Sequence, residues 1–257
     1  MRMHNRIKVN DVTEFGLISE INLNEENSWK DKIFITFDID WASDNVIDFV
    51  AEHLISRNIK ATWFVTHSTP VLEKLRSNPM FELGIHPNFN ALLKGDFRHG
   101  RSAKEIIETL MTLVPEANSV RSHSLARSSV LMEEFKAVGL SYECNHFIPA
   151  HSNIELKPWM EWNGLMHVPY FWEDDVACLL GHEVSMTEIA QRTGLKVFDF
   201  HPIHVFLNTE HLDRYQRTRY VHHNSEELFK HRYVGKGTLT RFLDLLNLAQ
   251  PHMEQDR

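Results

Sequence analysis

Apolar residues in this chain fall into short continuous runs, and these alternate with segments of helical spacing. The runs KIFITF (32–37), KATWFVT (60–66), FELGI (81–85), SVRSH (119–123), LSYECN (140–145), LMHVPYFW (165–172) and LKVFDF (195–200) punctuate most of the sequence. Runs too apolar to leave one face in water predict buried strands of a parallel sheet. Between them, Val46, Ile47, Phe49, Val50, Leu54 and Ile55 recur at helical spacing behind Ser43, a plausible N-cap. A short helix is expected over 70–76. Ser102 and Glu105 form a capping-box pattern before IIETLMTLV, and Gly139 closes SSVLMEEFKAV at the position after the cap. About seven strands alternating with helices make an α/β fold, a parallel sheet or barrel, the economical reading.

One domain spans 1–257. Residues 1–30 read as an irregular or β-hairpin extension. Residues 206–257 read as a loop-rich segment followed by an amphipathic helix in TLTRFLDLLNLAQ. Residues 145–162 also look loop-rich, and long excursions at a barrel mouth commonly shape a substrate site.

Composition narrows the function classes. A hydrophobic fraction of 42% with 24% charged residues describes an ordinary globular chain. A formal charge of −8 leaves no basic field for nucleic acid. Two cysteines give neither a disulfide framework nor a metal knuckle. No apolar run approaches the ~18 residues that span a bilayer, and the first residues lack the apolar core of a secretory signal. The expected location is the cytoplasm.

The chemistry gathers where apolar runs end. Ligands of parallel sheets bind beyond the carboxyl ends of the strands. Asp38 and Asp40 alternate on one strand, so two carboxylates share a face and need a cation or an arginine between them. His86 and Asn90 are four apart, which on one helical turn starting at Pro87 brings an imidazole and an amide oxygen together. Arg121 ends a strand beside two hydroxyls and His123, and its guanidinium suits a neighbouring carboxylate. His201, with Pro202 and His204 behind it, is placed for proton transfer. One of Glu173, Asp174 and Asp175 could orient His201, or the acidic run could be a solvated loop. Trp41, Phe89, Trp159, Trp162, Tyr170 and Trp172 could stack on sugar rings or form core and wall. Among these residues, Trp41, His123, Trp172, Asp174 and Asp175 are the candidate substrate contacts.

The ordered set TFDID, HPNFN, RSHS, WEDD and FHPIH resembles the polysaccharide deacetylase family, carbohydrate esterase family 4 with its NodB-homology domain, over about residues 32–205. The resemblance implies a distorted (β/α) barrel of about seven parallel strands and a divalent metal. It assigns Asp38 as general base, Asp40, His86 and Asn90 as metal ligands, Arg121 as the group orienting the base, and His201 as the proton donor. Ile39 separates aspartates that are usually adjacent, Asn90 replaces the second histidine, and Pro202 follows His201 in place of the usual aspartate. The implied reaction is hydrolysis of an N-acetyl group on a sugar or glycan precursor, in a branch tied to O-antigen synthesis. Zinc is the expected metal, with nickel, cobalt, iron or manganese as alternatives. The rival readings are a C–N hydrolase on a small non-sugar amide and a non-catalytic carbohydrate-binding barrel.

Overall fold

The computed structural model describes residues 13–181 and 185–249. Residues 1–12 of the expected N-terminal extension lie outside them. Ten strands form one curled sheet: β1 (Glu14–Gly16), β2 (Lys32–Asp38), β3 (Ala61–Val65), β4 (Phe81–Ile85), β5 (Ser119–Val120), β6 (Tyr142–Glu143), β7 (Trp159–Met160), β8 (Met166–His167), β9 (Trp172–Glu173) and β10 (Lys196–Phe200). The order is β7-β8-β6-β5-β4-β3-β2-β10-β9, with β1 paired to β2 off this path. Within the path β7 pairs antiparallel with β8, and the other eight strands run parallel, as the alternating pattern predicts. LMHVPYFW, read as one strand, is two, because residues 168–171 break away between β8 and β9.

The long central strand is buried along its length because it is covered on both edges and both faces. Register places β1 against Lys32–Phe34 of β2, β3 against Thr36–Asp38, and β10 along Ile33–Phe37 on the other edge. Phe37 stacks on Trp63 with centroids 4.2 Å apart. The helix Asp44–Ile55 buries Val46, Ile47, Val50, Ala51 and Leu54, its periodic apolar face. Gly84 lets β5 come close: a Cβ there would stand 2.5 Å from Ser119 Oγ.

Three local expectations are corrected. Among the described residues 13–30 there is no hairpin; β1 runs parallel to β2 and two 3₁₀ turns link them. The part of 206–257 read as loop-rich carries short helices instead, Pro202–Leu207, Leu212–Thr218 and Ser225–Phe229, ahead of the C-terminal helix Thr238–Leu246. The first three are too short to repeat an apolar face, so periodicity cannot reveal them. Ser102 caps its helix by accepting from the Glu105 amide at 3.2 Å, but the Glu105 carboxylate accepts from the Arg101 amide instead of completing the box.

Packing of this helical segment has a pH consequence. His222 is half-buried, and burial, then the neighbouring His204, push its imidazole down to about 4. The unfolded imidazole takes a proton near ~6.5, whereas the folded one stays neutral. Folding stability is therefore lost as pH falls from about 6.5 to about 4. His222→Asn should flatten that loss by about 1–2 kcal/mol after solvent screening, measured by urea unfolding at neutral and acidic pH.

Candidate active site

Alternation along the strands decides which polar groups meet. Thr36 and Asp38 on β2 share one face of the sheet with Asp199, the register partner of Thr36 on β10, and the register through Phe64 and Gly84 puts His86, two residues on, at that same face. Thr36 donates to Asp199 Oδ1 at 2.7 Å, which fixes that face across two strands. Beyond it the chain ends bring Asp38, His86, Arg121 and His201 together, as the run endings predict.

Arg121 is fully buried between the rings of Phe64 and Tyr170, 4.6 and 4.4 Å from its guanidinium carbon. It donates to Asp38 Oδ1 at 3.1 Å, Thr36 Oγ1 at 2.9 Å and the Cys144 carbonyl at 3.1 Å, and it also pairs with Asp199. Burial alone would lower the guanidinium pKa, but Asp199 and Asp38 raise it. Burial pushes the Asp199 carboxyl up to about 8, outweighing Arg121, with Asp38 adding to the rise. One guanidinium thus faces two carboxyl groups, and Asp199 is the one driven toward its neutral form.

Asp38 and Asp40 do not share a strand. β2 ends at Asp38, and Asp40 and Trp41 turn back with φ of 36° and 56°. Two successive non-glycine residues in the left-handed region store strain, a recurrent mark of functional turns. The turn still brings both carboxylates to one imidazole. His86 Nε2 lies 3.6 Å from Asp38 Oδ2 and 3.3 Å from Asp40 Oδ1. A second imidazole joins them: His123 Nδ1 is 3.1 Å from Asp40 Oδ1.

The one-turn helix expected from His86 to Asn90 is absent. Residues 86–89 remain extended or turned, because the His86 amide bonds the Val65 carbonyl and the Pro87 carbonyl accepts from the His123 amide. The helix begins at Asn90, whose backbone amide donates to Asn88 Oδ1 at 2.9 Å and whose side-chain amide donates to Ser124 Oγ at 3.0 Å. Asp40, His86 and His123 each offer a donor atom within 4.8 Å of the others.

The donor set is tested by its electrostatics. Against a burial penalty, His123 and His86 hold the Asp40 carboxyl well below its usual range. Burial would lower the His86 pKa, yet Asp38 and Asp40 raise it. The cluster therefore favours positive charge at its centre. One carboxylate and two imidazoles with room for further ligands fit a divalent transition metal.

His201 precedes the helix Pro202–Leu207. Asp174 holds it twice, accepting from its backbone amide at 2.9 Å and meeting its Nδ1 at 2.8 Å. Among the three acidic candidates Asp174 is thus the partner of His201, and it is fully buried and taken. The expectation that Asp174 touches substrate is corrected on that ground. Nε2 of His201 points toward Asp40 Oδ2, 3.6 Å away. Burial opposes protonation of His201, while Asp174 and Asp40 raise its pKa well above the ordinary value.

Trp172 is also corrected: it is 5% exposed and packs on Phe198 and Phe200, so its faces are spent in the core. Trp41 is 43% exposed and meets the His123 ring edge-on at 5.2 Å. Asp175 is half-buried on the first turn of the helix Asp174–Leu180. A cavity of about 380 Å³ opens beside the cluster, lined by Trp41, Thr66, His86, Asn88, His99 and Thr109 among others. Sequence reasoning missed Asp199, whose signal was a lone acid inside an apolar run.

Comparison with known proteins places the whole chain rather than its site. Residues 35–219 match the family model described as WbmS-like polysaccharide deacetylase. A crystal structure from Bordetella bronchiseptica, of a protein proposed as a polysaccharide deacetylase involved in O-antigen biosynthesis, is 45% identical. It covers 91% of this chain and 97% of its own, with a TM-score of 0.86. The 4-alpha-glucanotransferase of Thermococcus litoralis is 12% identical over 66% of this chain and 32% of its own, at a TM-score of 0.41, too low to carry any argument. No curated protein matches. No helix among the described residues is long and apolar enough to cross a membrane. By its sequence match, and by an almost full-length structural match, the chain belongs to the WbmS-like polysaccharide deacetylase family.

Proposed function

We propose that this protein is a metal-dependent deacetylase that removes an N-acetyl group from a sugar of a surface-polysaccharide precursor. The observation that carries the reading is the convergence of Asp40, His86 and His123 beside two buttressed groups, Asp38 on Arg121 and His201 on Asp174. Asp40, His86 and His123 would hold the metal, zinc by preference, with Asn90 bracing the 123–125 turn through Ser124. When bound, such a cation polarises an acyl carbonyl and lowers the pKa of water.

The chain's own groups supply the proton traffic. Asp38 accepts a proton from the attacking water, and Arg121 keeps that carboxylate aimed through a buried hydrogen bond. His201 Nε2 donates to the departing nitrogen, which cannot leave as an anion. Asp174 fixes the ring so that Nε2 faces the reaction, as a carboxylate does for a catalytic imidazole. Trp41 and the adjacent cavity supply a wall for the sugar.

Acetate release from N-acetylated nucleotide-sugars and glycan fragments tests the reading. Release should vanish on chelation and return with zinc, nickel, cobalt, iron or manganese. Acetate production untouched by chelation, or hydrolysis confined to non-sugar amides, would refute it. Asp174→Asn should lower kcat by about 10²–10⁴-fold with little change in KM, because the ring loses its fixed tautomer. An unchanged kcat would remove His201 from the proposed chemistry.

A further inference from the structure

The mouth continues past the cluster of metal-type donors. A second cavity, of about 500 Å³, is lined by Trp41, Ser43, Asn45, His67, Ser68 and Ser225 among others. Trp41 also lines the cavity of about 380 Å³ that holds His86, so one exposed indole serves both spaces. Each volume falls in the ~300–1,000 Å³ range of ordinary small-molecule sites. The indole is held in place. Its backbone amide donates to Thr66 Oγ1 at 3.3 Å, the Ala42 amide donates to the Ile39 carbonyl at 2.8 Å, and the His123 ring meets it edge-on. Thr66 Oγ1 lies 2.8 Å from His67 Nδ1, which joins the wall of the first cavity to that of the second.

Distant segments of the chain close the second cavity. The first turn of the helix Asp44–Ile55 supplies Asp44 and Asn45, and the residues after β3 supply His67 and Ser68. The far wall is His223 and Ser225, at the start of the helix Ser225–Phe229. Asn45 Nδ2 donates to Ser225 Oγ at 2.8 Å, tying the two helices together. His223 and Ser225 follow the stretch that matches the family, so this wall is no part of what that match defines.

Charge decides what such a space can take. Among the described residues, no lysine or arginine lines either cavity. A helix N-terminus ordinarily favours an anion, but Asp44 places its own carboxylate in that first turn, where it accepts from the Thr69 hydroxyl and repels a phosphate. Burial pushes the His67 imidazole down, so the ring stays neutral. What remains is the Asn45 amide, the Ser68 and Ser225 hydroxyls and the two imidazoles. These groups both donate and accept, as the hydroxyls of a neutral sugar ring require, and they lack the cations that recognise a diphosphate.

We propose that the second cavity is a sugar subsite. Resting on the deacetylase reading, the acetamido sugar occupies the cavity beside His86, and its glycosidic neighbour crosses Trp41 into the space between Asn45, Ser68 and Ser225. The substrate is then a glycan of two or more residues rather than a nucleotide-linked monosaccharide.

The test compares kcat/KM for acetate release from methyl N-acetylglucosaminide, N,N′-diacetylchitobiose and UDP-N-acetylglucosamine. The disaccharide should exceed the other two by about tenfold or more, chiefly through KM, because a remote contact adds binding shared by ground and transition states. Ser68→Trp and Asn45→Trp, both at exposed positions, fill the cavity and should each erase that preference. Equal values for monosaccharide and disaccharide, a nucleotide-sugar as best substrate, or a preference intact in the filled variants overturns the proposal. Where one variant does not fold, the other decides. Should none of the three probes release acetate, the deacetylase reading is what fails, and calorimetric binding of the monosaccharide and disaccharide to the same proteins judges the subsite. Tighter disaccharide binding that the substitutions abolish supports it; equal or absent binding defeats it.

Discussion

Replacing Asp40 with asparagine should reduce acetate release by about 10³-fold or more and strip the metal from the mouth of the barrel. The substitution removes the carboxylate that meets both His86 and His123. Asparagine tolerates the left-handed backbone that Asp40 adopts, so the fold should survive and the loss should be chemical. Two companion variants separate the possible ligand sets. His123→Ala should match the Asp40 effect, because its Nδ1 completes the cluster. Asn90→Ala should cost roughly tenfold or less, since it loosens a turn and leaves the donors in place. Metal content and kcat measured on the same preparations check all three. The reverse ranking, with Asn90→Ala the more damaging, would restore Asn90 as the ligand.

Arg121→Met should destabilise the protein by about 3–5 kcal/mol, a large part of the 5–15 kcal/mol typical of a domain. The guanidinium is the shared donor to Asp38, Thr36 and the Cys144 carbonyl, and it also pairs with Asp199. Removing it leaves the buried Asp38 without its counter-charge and Asp199 without a hydrogen-bond donor. For a chain of this size the midpoint should fall by roughly 6–20 °C. Adding Asp199→Asn to Arg121→Met should recover part of the loss, because an amide at that position can never ionise beside Asp38. Thermal and urea unfolding of the single and double variants form the check. A midpoint unchanged in Arg121→Met would mean that the buried pair contributes nothing to stability.

Part of this site was legible because the proposed catalytic groups end apolar runs. That placement predicts that Asp38, His86, Arg121 and His201 meet, whereas the roles assigned to them come from the family resemblance. What the pattern could not reveal depends on chain reversals and on pairings between distant strands. His123 reaches Asp40 because the two segments pack across the mouth and Ser124 and Leu125 then turn left-handed. An i, i+4 rule pointed to Asn90, but hydrogen bonds to Val65 and from His123 hold 86–89 out of a helix. Asp199 looked like an ordinary strand position; its role emerges only when β10 lies against β2.

The order in which the sheet is completed bears on biogenesis. β2 leaves the ribosome well before β10, the strand that covers one of its edges. Until Lys196–Phe200 is synthesised, Ile33–Phe37 offers an unpaired apolar edge, and Arg121 lacks one of its acidic partners. Nascent chains stalled before that point should therefore engage holdase chaperones, and release should coincide with the arrival of the strand that carries Asp199.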